Sequence, residues 1–304
     1  MISSADQIKS GMVAIVGPPN AGKSTLMNSL LGQKISIVTP KPQTTRNRIM
    51  GIVNHNDYQI LLLDTPGLHT SREPLNREMM RIAMDSLTEV DVVLFLIDVS
   101  LPVPEKTKEE RDREFAAWLG RVACPAILVL NKVDLIDKKK LLPLIEAYNA
   151  FFPFKAIIPV SALKGEGTEN LVAEMLVHLP LGPRYFPEDI PTDASERFLA
   201  SEIIREKVFL KTGQEIPYST AVLIESFKED PETGLVTIHA AIVLEKDSQK
   251  GIVIGKGGLK LQAIGTAARR DIEKMLDQKV FLKLFVKVRK NWSQDERFLK
   301  ELGF

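Results

Sequence analysis

A single cysteine in 304 residues, Cys124, excludes an internal disulfide framework. Its neighbours are apolar and no base lies near it in the sequence, so the thiol reads as a small buried residue and not as a nucleophile. Long hydrophobic runs are also missing. Val92 to Ile97 is typical of the longest, far short of the roughly 20 residues a membrane-spanning helix needs. Met1 to Ser10 has no basic flank leading into an apolar stretch, so no secretory signal is read and residence in the cytoplasm is expected. The four histidines, His55, His69, His178 and His239, lack metal-ligand spacing. Charge of one sign is absent overall, the net being +1, but the balance is uneven: Lys250 to Lys290 carries eleven Lys or Arg against three acids, a local +8. That segment is a candidate surface for a polyanion.

What is present is ordinary soluble composition, 44% hydrophobic and 26% charged, and a length suited to two domains. The first 180 residues alternate short apolar runs with amphipathic ones, the signature of a mostly parallel sheet covered by helices. Strands are expected at Met12 to Val16, Gly51 to Asn54, Gln59 to Leu63, Val92 to Ile97, Ala126 to Leu130 and Ala156 to Pro159. Helices are expected at Ser24 to Leu31, Pro74 to Leu87, Glu105 to Gly120, Lys138 to Ala150 and Gly167 to Leu179. Pro180, Pro183, Pro187 and Pro191 then interrupt any helix, which places a linker at residues 181–195 between a domain of residues 1–180 and one of residues 196–304. The second domain reads as α+β: a helix (Glu196 to Lys211), two strands (Thr220 to Phe227, Leu235 to Leu244), helical material around a glycine cluster, and a last strand.

Four motifs stand at successive strand ends of the first domain. Gly17-Pro18-Pro19-Asn20-Ala21-Gly22-Lys23-Ser24 is a phosphate-loop pattern, with Thr25 next in line. Its glycines permit a backbone ring whose amides point at phosphate oxygens, and the following helix adds its positive end. Lys23 bridges the outer phosphates and the Ser24 hydroxyl ligates Mg2+ in this reading. Asp64-Thr65-Pro66-Gly67, with Leu68 after it, follows an apolar strand, where a carboxylate reaches the metal through water and a glycine N–H senses the terminal phosphate. Asn131-Lys132-Val133-Asp134 selects the base: the Asp134 carboxylate accepts guanine N1–H and the 2-amino group, and adenine offers neither donor. Lys132 is expected along the base plane and Asn131 between neighbouring loops. Ser161-Ala162-Leu163 presents a backbone N–H to guanine O6. In the loop Pro42-Gln43-Thr44-Thr45-Arg46, Thr45 is the preferred metal ligand and Thr44 the alternative; spacing does not separate them.

In the second domain, Ile254-Gly255-Lys256-Gly257-Gly258 holds a glycine, two residues and a glycine between helical segments, the form of the loop by which KH domains clamp a nucleic-acid backbone. Leu261, Ile264, Ala268, Ile272 and Met275 recur at helical spacing, and Val280, Leu282, Leu284, Val286 and Val288 alternate with Lys283, Lys287 and Arg289 as a half-buried strand with a basic outer side. Lys256, Lys260, Arg269 and Arg270 supply charge to single-stranded RNA, whose unpaired bases expose their edges; DNA is not expected. Trp292 and Phe227 are read as core residues with base stacking as the alternative.

Taken together, these residues resemble the translation-factor-related class of GTPases in the form that carries a type II KH domain, over about Gly11 to Phe304. The resemblance implies a P-loop GTPase domain with a six-stranded sheet followed by a type II KH domain. It implies slow GTP hydrolysis to GDP and phosphate, with Lys23, Thr45, Gly67 and Asn20 as the catalytic set. The partner it implies is the single-stranded 3′ end of 16S ribosomal RNA, in 30S subunit maturation and cell-growth control. Leu68 stands where Ras-like enzymes have their water-orienting glutamine, so water is positioned otherwise. Asn20 resembles the asparagine that related GTPases use to hold K+ beside the phosphates. Three rivals are a P-loop ATPase or kinase, which Asp134 opposes; a GTPase peripheral to the inner face of the cell membrane, suggested by amphipathic character from Arg197 to Lys211; and a GTPase whose second domain binds protein.

Overall fold

The computed structural model describes residues 7–68, 74–101, 110, 113, 118–120, 122–149 and 152–303. The chain forms two compact units. One comprises described residues up to Ser36, from Thr45 to Leu68 and from Met79 to Asp193; the other comprises Ile37–Thr44, Pro74–Glu78 and the chain from Ala194.

The first unit is a sheet in the order β2-β3-β1-β4-β5-β6, formed by β1 (Ile8–Val16), β2 (Ile49–His55), β3 (Tyr58–Asp64), β4 (Val92–Asp98), β5 (Ala126–Asn131) and β6 (Ala156–Val160). All pairs are parallel except the β2–β3 hairpin. Every residue of β5 and all but the last of β4 are buried, as expected of central parallel strands covered on both faces. Around the sheet lie α1 (Lys23–Leu31), α2 (Pro74–Asp85), α3 (Leu141–Asn149) and α4 (Thr168–His178). A core of Ala14, Val16, Val93, Phe95, Leu128 and Leu130 gathers under one sheet face. The expected helix Glu105 to Gly120 lies largely outside the described residues.

The stretch 181–195, expected to be a linker, is tied to this unit over most of its length. A seventh, two-residue strand β7 (Leu181–Gly182) pairs antiparallel with β1. Gln59 then donates to Phe186 O at 2.8 Å, Ile52 N donates to Pro191 O at 2.8 Å, and Thr192 bonds Met50 O. Prolines prevent a helix here, yet their carbonyls still accept, so the segment follows the sheet edge as an ordered strap.

The second unit runs α5 (Glu196–Lys211), β8 (Thr220–Glu229), β9 (Val236–Leu244), α6 (Asp247–Ile254), α7 (Leu259–Leu276), β10 (Val280–Val288) and α8 (Glu296–Glu301). Its sheet has the order β10-β9-β8, with β8–β9 antiparallel and β9–β10 parallel; the parallel pair requires the crossover that α6 and α7 supply. Ala200, Ile204 and Val208 of α5 and Ile264, Ala268 and Ile272 of α7 pack on Ile238, Ala240 and Ile242. The apolar face of α5, which had suggested a membrane surface, is thus spent on this core. Trp292 is fully buried, its indole donating to Ser219 O at 3.0 Å, and Phe227 packs against the same core, so neither is presented to a base.

Candidate functional site

Parallel register brings the ends of β1, β3, β4, β5 and β6 together: Ile15 pairs with Asp64, Asp98 with Asn131, and Asn131 with Val160. Each motif begins where a strand stops, so the sheet collects side chains as distant in sequence as Lys23 and Ser161 onto one edge, the place where open α/β sheets bind ligands.

After β1 the chain turns through Gly17–Gly22 into α1, whose first amides have no side-chain cap. Gly22 has φ 97°, and a Cβ there would lie 2.3 Å from Asn131 Nδ2; only glycine lets the loop close against the base-recognition strand. Lys23 is buried, its ammonium donating to Gly17 O at 3.1 Å and Pro18 O at 3.0 Å. Burial lowers its pKa to about 8, partly opposed by the charge of Asp64.

Asp64 is fully buried at the end of β3. Its Oδ2 accepts from Ser24 Oγ at 2.6 Å, Ser36 Oγ at 2.6 Å and Thr45 Oγ1 at 3.3 Å, and Ser24 Oγ lies 2.8 Å from Thr45 Oγ1. Burial pushes the carboxyl up, against these hydroxyls and Lys23. Its other oxygen, Oδ1, is buried with no hydrogen-bond partner. An orphaned carboxylate oxygen beside two convergent hydroxyls is a hard-oxygen donor set of the kind Mg2+ takes. Thr44, the alternative ligand, turns elsewhere: its hydroxyl bonds Thr39 Oγ1 and Lys41 O, both at 2.7 Å.

A pocket of about 170 Å³ is lined by Gly22, Thr25, Asn131, Lys132, Asp134, Leu135, Ala162 and Leu163, the residues expected to take the base among them. Asn131 donates to Ala21 O at 2.7 Å and accepts from Ala162 N at 3.0 Å, tying phosphate loop to base loop. Ser161 Oγ donates to Asp134 Oδ1 at 2.7 Å, orienting the carboxylate. Lys132, in the left-handed region at φ 68°, is held by Asp98 at 2.5 Å. Leu163 is 80% exposed, an apolar side chain left in water at the pocket mouth.

In the second unit, α6 ends at Ile254 and Gly255–Gly258 turns the chain into α7, again without a side-chain cap. Gly255 has φ 75° and a Cβ there would meet Lys260 Cβ at 2.7 Å, whereas Gly257 and Gly258 face open space. Below the turn a groove of about 440 Å³ is lined by Gly258, Leu261, Gln262, Gly265, Thr266 and Arg269 of the loop and α7, and by Leu282, Lys283 and Leu284 of β10.

Comparison with known proteins agrees with both halves. The model of a 50S ribosome-binding GTPase matches residues 12–132 and that of a KH domain residues 215–293. GTPase Era of Geobacter metallireducens is 52% identical over 301 residues, 99% of each chain, and that of Syntrophus aciditrophicus 50% identical over 97% of this chain and 95% of its own. The chain belongs to the Era family of GTPases. It is an enzyme that hydrolyses GTP, with a P-loop domain and a KH domain. A solved structure of an Aquifex aeolicus Era variant bound to GDP and AlF4− is 41% identical, with a TM-score of 0.91 over 97% of this chain and 99% of that one. A structure of Era with MgGDPNP and nucleotides 1506–1542 of 16S ribosomal RNA is also 41% identical, with a TM-score of 0.90 over the same shares.

Several expected residues stand differently. The Leu68 side chain is buried in the sheet core and only its amide, donating to Gly17 O at 3.0 Å, touches the loop; Val133 likewise packs against that core. Thr65 is structural, donating to Ile15 O at 2.8 Å. Of the residues assigned to RNA, Arg269 lines the groove and Lys256 is exposed on the loop, while Ile254, Lys260 and Arg270 lie outside its lining. Ser36, Asp98, Gln262 and Thr266 were missed in the sequence. Asp98 is, like Asp64, an acid closing a buried apolar strand, and Gln262 and Thr266 follow Gly258 at spacings of four. Ser36 carries no local signal.

Proposed function

We propose that this GTPase docks through its KH-type unit on the single-stranded 3′ end of 16S ribosomal RNA, and that it does so in the cytoplasm during 30S subunit maturation, with consequences for cell growth. The observation that carries the reading is one chain holding an Asp134-lined base pocket and a glycine-bounded groove whose rim is basic. The Era relative bound to nucleotides 1506–1542 supports the RNA assignment, as does the local charge of +8 from Lys250 to Lys290. GTP and GDP are the nucleotides, and no DNA partner is proposed.

In this reading the amides of residues 17–24 and the start of α1 cradle the phosphates, and Lys23 leaves its loop carbonyls for the outer phosphate oxygens. Ser24, Thr45 and, through water, Asp64 hold Mg2+, which when bound neutralises charge on the phosphates. Gly67 N–H meets the terminal phosphate. Because a buried Leu68 cannot orient water, other groups must position it, and hydrolysis is slow unless a partner orders the switch segments. Asn20 holds K+ where an arginine finger would place its charge: rates should be higher in K+ than in Na+, and Asn20→Ala should abolish the difference. Equal rates in the two salts refute that assignment.

The whole reading is tested with Gly257→Asp, which adds a negative charge where a side chain has room and an αL backbone that Asp tolerates. GTP hydrolysis should persist while affinity for the 16S 3′ end falls more than tenfold. Undiminished RNA affinity would contradict the KH assignment.

A further inference from the structure

The groove occupies the helical side of β10, and the opposite side of the same strand is unclaimed. Along β10, Val280, Leu282, Leu284, Val286 and Val288 turn toward the helices, so Phe281, Lys283, Phe285 and Lys287 share the other face. The two rings on that face are exposed, Phe281 at 53% and Phe285 at 37%, far above what an aromatic in a core retains, although Ala241 and Val243 beside them on β9 are buried. Beside them on β9 the register sets small or polar neighbours, Thr237 against Phe281 and Ala241 against Phe285, so the rings stand proud of the sheet. Phe285 is held upright: His239 meets its ring edge-on at 6.3 Å between centroids, and the Lys283 ammonium sits 5.2 Å from its centre. From Val280 to Lys290 there are four cations and no acid.

We propose that this open sheet face is a second base-stacking surface for single-stranded RNA, taking nucleotides that flank those held in the groove. The proposal rests on the groove being an RNA site. Alternate phenylalanine and lysine along one strand set π-faces and phosphate-pairing charges about 6.6–6.8 Å apart and the two rings about 13 Å apart, and stacking on sheet aromatics is how RNA-binding sheets hold unpaired bases. Lys287 pairs with Glu225 and Arg289 with Asp295, so the cation set between the two rings is Lys283; a protein partner would want apolar surface without a charge interleaved there. Continuity favours one strand of RNA, because β10 supplies both surfaces: Leu282 and Leu284 line the groove, and Phe281 and Phe285 stand on its other face.

The test uses the full chain and fluorescein-labelled RNAs from the 16S 3′ end, one of about four nucleotides, the length a KH groove holds, and one of about twelve. Phe281→Ala with Phe285→Ala should leave affinity for the short RNA within about twofold and weaken the long one about tenfold or more. Phe281→Trp should retain long-RNA affinity, and its added fluorescence should be quenched by the long RNA only. Equal affinity of wild type and double variant for the long RNA, or equal losses on both lengths, overturns the proposal, as does an unquenched tryptophan. Wild-type protein that binds neither RNA refutes instead the KH reading beneath it.

Discussion

Arg205 of α5 donates from Nη2 to the backbone carbonyl of Thr44 at 2.6 Å, while its Nε binds Glu202 at 2.7 Å. Thr44 is the last residue of the segment Ile37–Thr44 that clusters with the second unit, and the next residue, Thr45, has its hydroxyl at Ser24. The same segment is fastened twice more: Val38 N donates to Glu206, and the Lys41 ammonium bonds the carbonyls of Phe209 and Thr212 at the C-terminus of α5, where a cation suits the helix dipole. Arg205→Ala leaves the buried Glu202 carboxylate unpaired, so stability in urea should fall by about 3–5 kcal/mol. The amides of Val38, Thr39, Lys41, Gln43 and Thr44 should exchange faster, with GDP affinity unchanged because GDP lacks the terminal phosphate the segment would meet. Arg205→Lys should rescue little, since one ammonium cannot serve Glu202 and Thr44 together.

Asp134→Asn exchanges an acceptor for a donor opposite guanine N1–H. Guanine-nucleotide affinity should drop about a thousandfold, from two charge-assisted bonds lost. Xanthosine diphosphate, with a carbonyl in place of the 2-amino group, should bind the variant better than GDP does. Competition with a fluorescent nucleotide measures both.

Lys23 has a pKa near 8 in the protein without ligand, and a triphosphate beside it would raise that value. Binding therefore takes up a proton, and GTP affinity is fullest below about pH 8 and declines as pH rises through that value toward the higher pKa of the complex. Calorimetry in buffers of different ionisation enthalpy should register proton uptake near pH 8. Identical uncorrected heats across the buffers would exclude it.

Asn131→Ala should cost nucleotide affinity although the side chain is the brace between two loops: Ala162 N loses its buried acceptor and Ala21 O its donor. About 1–3 kcal/mol per unpaired group should appear as loss in both stability and GDP affinity, and a thermal shift with saturating GDP separates the two.

The order of elements, the nucleotide motifs and the glycine turn were legible in residue order alone, because each is a local event: a buried strand reads as an apolar run, and a phosphate loop needs its glycines and lysine at fixed spacing. The fate of residues 181–195 was not, since proline content says what a segment cannot be and nothing of which carbonyls find donors on β1–β3. Leu68 illustrates the same limit. Adjacency to a switch motif put it in the nucleotide site, and only packing turned its side chain inward to the core. Thr44 and Thr45 are chemically identical neighbours, and only the tertiary structure separates them, setting the Thr45 hydroxyl beside Ser24 and Asp64 and the Thr44 hydroxyl beside Thr39 and Lys41. Local chemistry determined what this chain binds and roughly where along its length. The fold decided which atoms converge, because convergence depends on strand order and burial, quantities no neighbouring residue encodes.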